Sequence, residues 1–549
     1  MNILGLHSGA TINQHDPGAA LVRDGELVAA CEEERLLRIK SPRGFLPIRS
    51  IRYCLEIAGL NFEDIDLVVH PGASHEGVAD RIAHYLQHYF GSAPEVRLIN
   101  HQQAHIAGAY YASGFDEAMC MSYDSYGDRL SGATAIGNAD GIQILGSMPP
   151  DNSLGTFYGT MTIYLGFQGD EDEYKVMGLA ALGKEGVDLS PFIRATSNGY
   201  DVDITNMCRN IVPNATIYEA HYSDALVEHL GKLRRLPGGP IEQFHCDVAF
   251  AAQRALEDCV SSLATRLHSE TGLRKLCVSG GVALNCVANH VLLELPFVDE
   301  IYVCPPATDR GLAFGCALEG ANMVGERTSG HHHMYLGRQY SRHEIQEALQ
   351  LTGQSFRESD NPMRDAANML YDGKIIGWFQ GRSELGPRAL GNRSILADVR
   401  CPGMKDEINK KVKFREEFRP FAPSVLEERA TELFEMDGPS PFMTVTYPVR
   451  PEWQERLGAV THVDGTARVQ TISSETNPRF YGLVTEFEKL SGVPAVLNTS
   501  FNARGEPIVE TPLDALRTFN GTGLDALFLG DFVITKSTEP RHADHPVPS

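Results

Sequence analysis

The first thirty residues constrain the architecture most, because they commit the chain to an antiparallel sheet. Asp24-Gly25 separates two apolar runs, residues 19–22 and 26–30, and an Asp-Gly pair tolerates the positive φ that a two-residue hairpin turn requires. A third apolar run, residues 2–6, precedes them across a glycine-containing loop. The chain that follows is long: 549 residues exceed what one core usually serves, so at least two domains are expected. With 42% hydrophobic and 22% charged residues it reads as an ordinary soluble globular protein.

Charge and cysteine usage exclude several function classes. Forty-eight basic against 71 acidic residues give −23, a field that repels nucleic acid and anionic membrane and favours a cationic partner. The eleven Cys form no C-x-x-C pair and are odd in number, which suits reduced thiols rather than a disulfide framework. The start, MNILGLHSGA, lacks a basic flank and a long apolar core, and no 18-residue apolar run occurs. A cytoplasmic protein is expected, and the sequons at Asn214, Asn392 and Asn498 then carry no glycosylation meaning.

Against that acidic background, residues 377–424 concentrate positive charge, with ten Lys or Arg facing six acids. A strand-like run, residues 375–379, leads into Gly381, Gly386 and Gly391, while Pro387 and Pro420 stiffen the backbone beside Arg388 and Arg419. Guanidinium forks suit phosphate or carboxylate bidentately, so this reads as a pocket for a phosphorylated ligand rather than a solvated basic face.

Other segments offer chemistry in isolation. His101 and His105 are four apart, and on a helix that spacing puts both imidazoles on one face, although such pairs are often merely surface residues. The apolar run 119–123 ends in Asp124, and Asp309 opens a glycine-led helix. Ser279, Gly280 and Gly281, between a strand at 276–278 and a helix from about Val282, form a candidate backbone N–H cradle for phosphate. His15-Asp16 precedes Pro17, where a capped turn is the plainer reading. Residues 32–35, EEER, continue to Arg38 and Lys40 and read as a solvated helix start. The stripe of Val248, Ala252, Leu256, Val260, Leu263 and Leu267 marks a core helix over 247–268. Ser341 and Glu344 form a capping box that opens a second domain, the first closing near Met334 and His331 to His333 serving as linker. Residues 539–549 read as a loose tail.

These motifs, with HVDGTARVQT at 462–471, LNTSFNARGEPIVETPLDA at 497–515, SLGTFYGTMTIYLGF at 153–167 and EYKVMGLAALG at 173–183, resemble the NodU/CmcH carbamoyltransferases over nearly the whole chain. The resemblance implies an α/β protein with an actin, sugar kinase and Hsp70-like (ASKHA) domain over residues 1–340 and a YrdC-like α/β domain over 341–549. It implies a metal held by His101, His105, Asp124 and Asp309, as in the related tRNA threonylcarbamoyltransferases. Imidazole and carboxylate do not select strongly among metals, so iron is expected with zinc or manganese as alternatives. After Asp124 the chain reads SYGD where relatives are more glycine-rich.

By family position, Arg388, Lys413, Arg419, Arg468, Asn498 and Ser500 would hold ATP and carbamoyl phosphate, with Mg²⁺, and yield carbamoyladenylate. Lys175, Gly280, Gly281 and Asn285 would support the nucleotide, Lys40 the acceptor, and His15 would serve as general base for a small-molecule hydroxyl, with a pKa suited to neutral pH. Sugar, aminoglycoside and polyketide hydroxyls are the implied acceptors. A homodimer is the expected assembly. The alternatives are a tRNA threonylcarbamoyltransferase-like enzyme, a sugar-kinase-like enzyme releasing ADP, and a non-catalytic nucleotide-binding regulator.

Overall fold

The computed structural model describes residues 1–9, 15–208, 222–326, 328, 330–331, 333–416 and 419–536. The sequon at Asn214, the linker residue His332 and the expected tail at 539–549 lie outside the described residues.

Two five-stranded sheets repeat one connectivity. In the first, β1 (Asn2–His7), β2 (Gly18–Arg23) and β3 (Glu26–Glu32) form an antiparallel meander, to which β4 (Leu67–Pro71) and β5 (Glu95–Ile99) add in parallel, giving the order β3-β2-β1-β4-β5. Asp24 at φ 51° and Gly25 at φ 79° make the turn the sequence calls for. The meander recurs as β6 (Ala118–Gly127), β7 (Leu130–Asn138) and β8 (Gly141–Met148), and a small ribbon, β9 (Ile193–Thr196) with β10 (Gly199–Val202), stands apart. β11 (Lys275–Ser279) and β12 (Glu300–Val303) then extend β6 in parallel. This duplication defines the actin, sugar kinase and Hsp70-like fold.

The helices between the sheets place the site. Helix Leu312–Met323 packs against both β1 and helix His101–Ser113. Gly315 permits the close crossing, since a Cβ there would lie 1.9 Å from Ala104 O. The ends of both helices are thereby brought together. The predicted core helix runs longer than its stripe, over Gln243–Thr271, and all six stripe residues are buried.

The remaining residues form an eight-stranded mixed sheet centred on Ile376–Phe379, Arg393–Ala397 and Ala495–Ser500. Helices Pro362–Tyr371 and Pro478–Ser491 bury Leu370, Leu483 and Phe487 against one face of it, around Trp378. The Ser341 capping box is formed and opens helix Arg342–Leu351. All eleven cysteines are free, ten of them buried. No helix among the described residues is long and apolar enough to cross a membrane.

One expectation fails outright. Glu32, Glu33, Glu34 and Arg35 do not form a solvated helix start; all four are buried. Buried charges need partners, and here the partners are distant in sequence. Glu33 accepts from Ser50 N and Oγ at 2.7 and 2.6 Å, and Arg38 donates to Ile508 O and Pro507 O at 2.6 and 2.8 Å.

Candidate active site

His101 is the first residue of its helix, whose N-cap Asn100 accepts from Gln102 N at 2.9 Å. His105 follows one turn later. Their Nε2 atoms lie 3.1 Å apart and 3.1 and 3.2 Å from Asp124 Oδ2, while Asp309 Oδ1 lies 3.4 Å from His101 Nε2 and 3.7 Å from His105 Nε2. All four candidate ligand atoms fall within 4.8 Å of one another. Two imidazole nitrogens and two carboxylates turned to one point form a donor set that fits a divalent cation. Burial works against charge on His101, but Asp309 and Asp124 outweigh it and raise the imidazole to about 10. Burial likewise opposes ionisation of both aspartates, yet the histidines hold them well below the usual carboxylate range.

Asp124 sits within β6 rather than at its end; the strand continues through an irregularity between Tyr123 and Gly127. The departure from the glycine-rich turn has a use. Asp128, at φ 50°, accepts from His101 N and Gly72 N at 2.8 Å each, tying the helix start to the first sheet.

A cavity of about 390 Å³ opens beside the four ligands. His15, Lys40 and Gly281 line it, as do Asp124 and Asp309. His15 Nδ1 lies 3.0 Å from Asp16 Oδ2, and its carbonyl accepts from His7 Nε2 at 2.9 Å. Burial would lower the His15 pKa, but Asp16 and Asp309 raise it to about 9. That lies above the near-neutral value expected of a free base. Asp16 in turn is held to about 2, against burial, chiefly by Arg310.

The same cavity is lined on another side by Arg388, Arg415, Arg419 and Arg468. These guanidiniums crowd one another. Burial, then Arg468, lowers Arg388 to about 9, and burial with Arg419 pushes Arg415 well down. Arg419 lies over the Tyr174 ring at 4.2 Å and reaches Glu416 only at 3.7 Å. Half-buried cations that repel one another and face a cavity are suited to a polyanion.

The predicted residues divide between wall and scaffold. Asn498 and Ser500 line the cavity, Asn498 being fixed by donation to Ala389 O, Ser424 Oγ and Gln470 Oε1 at 3.0 to 3.1 Å. Lys413 is buried, and its Nζ is engaged with Ser500 O at 2.5 Å and Asn502 Oδ1 at 2.8 Å. Lys175 is bound by Asp172 and Glu416, each at 2.9 Å. Gly280 donates its N–H to Ala307 O at 2.9 Å and precedes a 3₁₀ turn, Gly281–Leu284, from which the α-helix Cys286–Leu293 follows. Asn285 lines the cavity, caps that helix and is clamped by Gln253. Three residues without a role in the sequence reading belong here: Arg415 and Arg310 line the cavity, and Asp128 lies behind it. Arg415 stood in the basic stretch and was legible there; the other two carried no local signal.

A candidate metal cluster and an arginine cluster thus face one cavity, on a duplicated ASKHA frame joined to a mixed sheet. Residues 3–93 and 82–318 match the carbamoyltransferase N-terminus family model, and residues 367–536 the carbamoyltransferase C-terminus model. The chain belongs to this family and is a carbamoyltransferase. It is 40% identical to nodulation protein NolNO of Sinorhizobium fredii, over 95% of this chain and 79% of that one. To nodulation protein NolO of Bradyrhizobium diazoefficiens it is 41% identical, over 80% and 79%. An uncharacterized Synechocystis protein is 35% identical, over 97% of both.

Proposed function

We propose that this carbamoyltransferase uses ATP and carbamoyl phosphate to carbamoylate a hydroxyl of a small molecule, by way of carbamoyladenylate. The observation that carries the reading is the cluster of Arg388, Arg415, Arg419 and Arg468, under-neutralised and facing the cavity shared with the metal ligands. Charge of that density suits a nucleotide triphosphate and an acyl phosphate held together. Water releases carbamate and phosphate from carbamoyl phosphate; a carbamate oxygen attacks the α-phosphorus of ATP, and the bond to pyrophosphate breaks. The acceptor oxygen then attacks the carbamoyl carbon, its proton leaves, and AMP departs. A shared cavity keeps the hydrolysable mixed anhydride from bulk water.

In this reading the arginines bind and orient the phosphates, Asn498 and Ser500 orient oxygens, and Lys413 positions Ser500 and Asn502 rather than touching donor. His101, His105, Asp124 and Asp309 would hold a divalent metal, which supplies a Lewis-acid contact for an oxyanion. His15 stands over the transfer end as proton carrier, and Lys40 on the acceptor side. The division near residue 340 separates adenylation from transfer. A neutral or cationic acceptor, such as an aminoglycoside or another glycosylated metabolite, fits the net charge of −23.

The test is product analysis with ATP, Mg²⁺ and carbamoyl phosphate and no acceptor. Carbamoyl-phosphate-dependent AMP and pyrophosphate are expected, and Arg388→Ala should abolish both. ADP as product, or turnover indifferent to carbamoyl phosphate, would overturn the reading.

A further inference from the structure

Arg388 belongs to a loop that is anchored at two points, and one anchor comes from the other half of the molecule. On the far side of Arg388, Glu384 Oε1 accepts from Leu390 N, Asn392 N and Arg393 N at 2.7, 2.8 and 3.1 Å. On the near side, two residues before Arg388, the backbone of Gly386 is held from both directions by β3 and the residues after it. Glu32 Oε1 accepts from Gly386 N at 2.6 Å, and Arg35 Nη2 donates to Gly386 O at 2.7 Å. Glu32 and Arg35 are themselves paired at 3.6 Å, both 2% exposed. Gly386 has φ 100°, and a Cβ there would lie 3.3 Å from Pro305 O, four residues before Asp309. No other residue type takes that backbone without strain.

A buried ion pair is a poor way to gain stability, since well-packed apolar residues do as well or better. What it supplies here is direction: an acceptor and a donor, both charge-assisted, fixed on the two backbone polar groups of one residue. Pro387 then restricts the backbone between that residue and Arg388. We infer that Glu32 and Arg35 are positioning residues for the anionic donor, setting from the first sheet where the Arg388 guanidinium lies in the cavity.

This rests on the adenylation reading, and the experiment separates the two. Pyrophosphate release without acceptor is measured against carbamoyl phosphate at saturating ATP, for wild type, Glu32→Ala, Glu32→Gln and Arg35→Lys. Glu32→Ala should raise KM for carbamoyl phosphate by on the order of tenfold or more, as loss of a charge-assisted hydrogen bond implies, with kcat changed far less. Glu32→Gln retains an oxygen for Gly386 N–H and should recover most of the affinity. Arg35→Lys keeps the charge and loses the planar reach to Gly386 O, so KM should rise even where the alanine variant fails to fold. A merely structural role would lower melting temperature in all variants without splitting KM from kcat. Unchanged KM in folded Glu32→Ala or Arg35→Lys, beside an active wild type, overturns the inference alone. A wild type that releases no pyrophosphate overturns the adenylation reading and this inference with it.

Discussion

Arg310 Nε lies 3.4 Å from Asp16 Oδ1, joining the residue after Asp309 to the residue after His15. The same guanidinium reaches Glu34 Oε2 at 3.3 Å and donates to Ser41 Oγ at 2.9 Å. One cation therefore holds the His15 loop, the buried acidic stretch and the turn bearing Asp309 in register. Removing one partner of a buried pair costs about 3–5 kcal/mol because the remaining charges stay uncompensated. Arg310→Met should lose stability of that order in urea denaturation, and Arg310→Lys should recover part of it. A loss under about 1 kcal/mol would show that Asp16 and Glu34 find other partners.

Gly127 offers a sharper test of the metal site, because its missing side chain leaves room for a ligand. A Cβ there would lie 2.2 Å from His101 Cγ. The ring must move or the strand must give, at about 1–3 kcal/mol. Gly127→Ala should fold and purify with less bound transition metal than wild type, read by elemental analysis. Full metal occupancy would place His101 outside the ligand set.

The contrast between legible and illegible parts follows from range. The His101 and His105 spacing, the Asp24-Gly25 turn and the Ser341 cap are local patterns, and the structure realises each of them. The arginines of 377–424 were legible as a pocket because glycines and prolines interleave with them. Glu32 and Arg35 were not, since the peptide that neutralises their burial cost lies at Gly386, some 350 residues on. Lys413 and Gly280 carry internal bonds that their residue types do not announce. Residue type suggested ligand contact, while Ser500 O and Ala307 O already occupy their donors.

Arg468 should be a residue whose loss stabilises the ligand-free protein. It is half-buried near Arg388 and Arg419, and its charge helps to lower Arg388 to about 9. Each pKa unit returned to Arg388 is worth about 1.4 kcal/mol. Arg468→Met should therefore raise the melting temperature at pH 7 without ligand, and shrink the further rise that pyrophosphate gives wild type. A variant that melts lower, with the pyrophosphate shift intact, would remove Arg468 from the anion site.

Glu173 lines the cavity and accepts from Asp170 N at 2.7 Å, and burial pushes its carboxyl up to about 7. The folded state thus holds this proton more tightly than the unfolded chain, where a glutamate titrates near 4.3. Below about 4 both states are protonated and nothing is lost. Between about 4 and 7 the unfolded chain ionises first, so stability falls as pH rises, and the full penalty persists above 7. Glu173→Gln removes that penalty while keeping shape and hydrogen bonding. The variant should melt higher than wild type at pH 8, with the gain narrowing at pH 5. An equal difference at both values would mean that the Glu173 carboxylate is solvated in the folded protein, and that its burial in the cavity wall does not govern its ionisation.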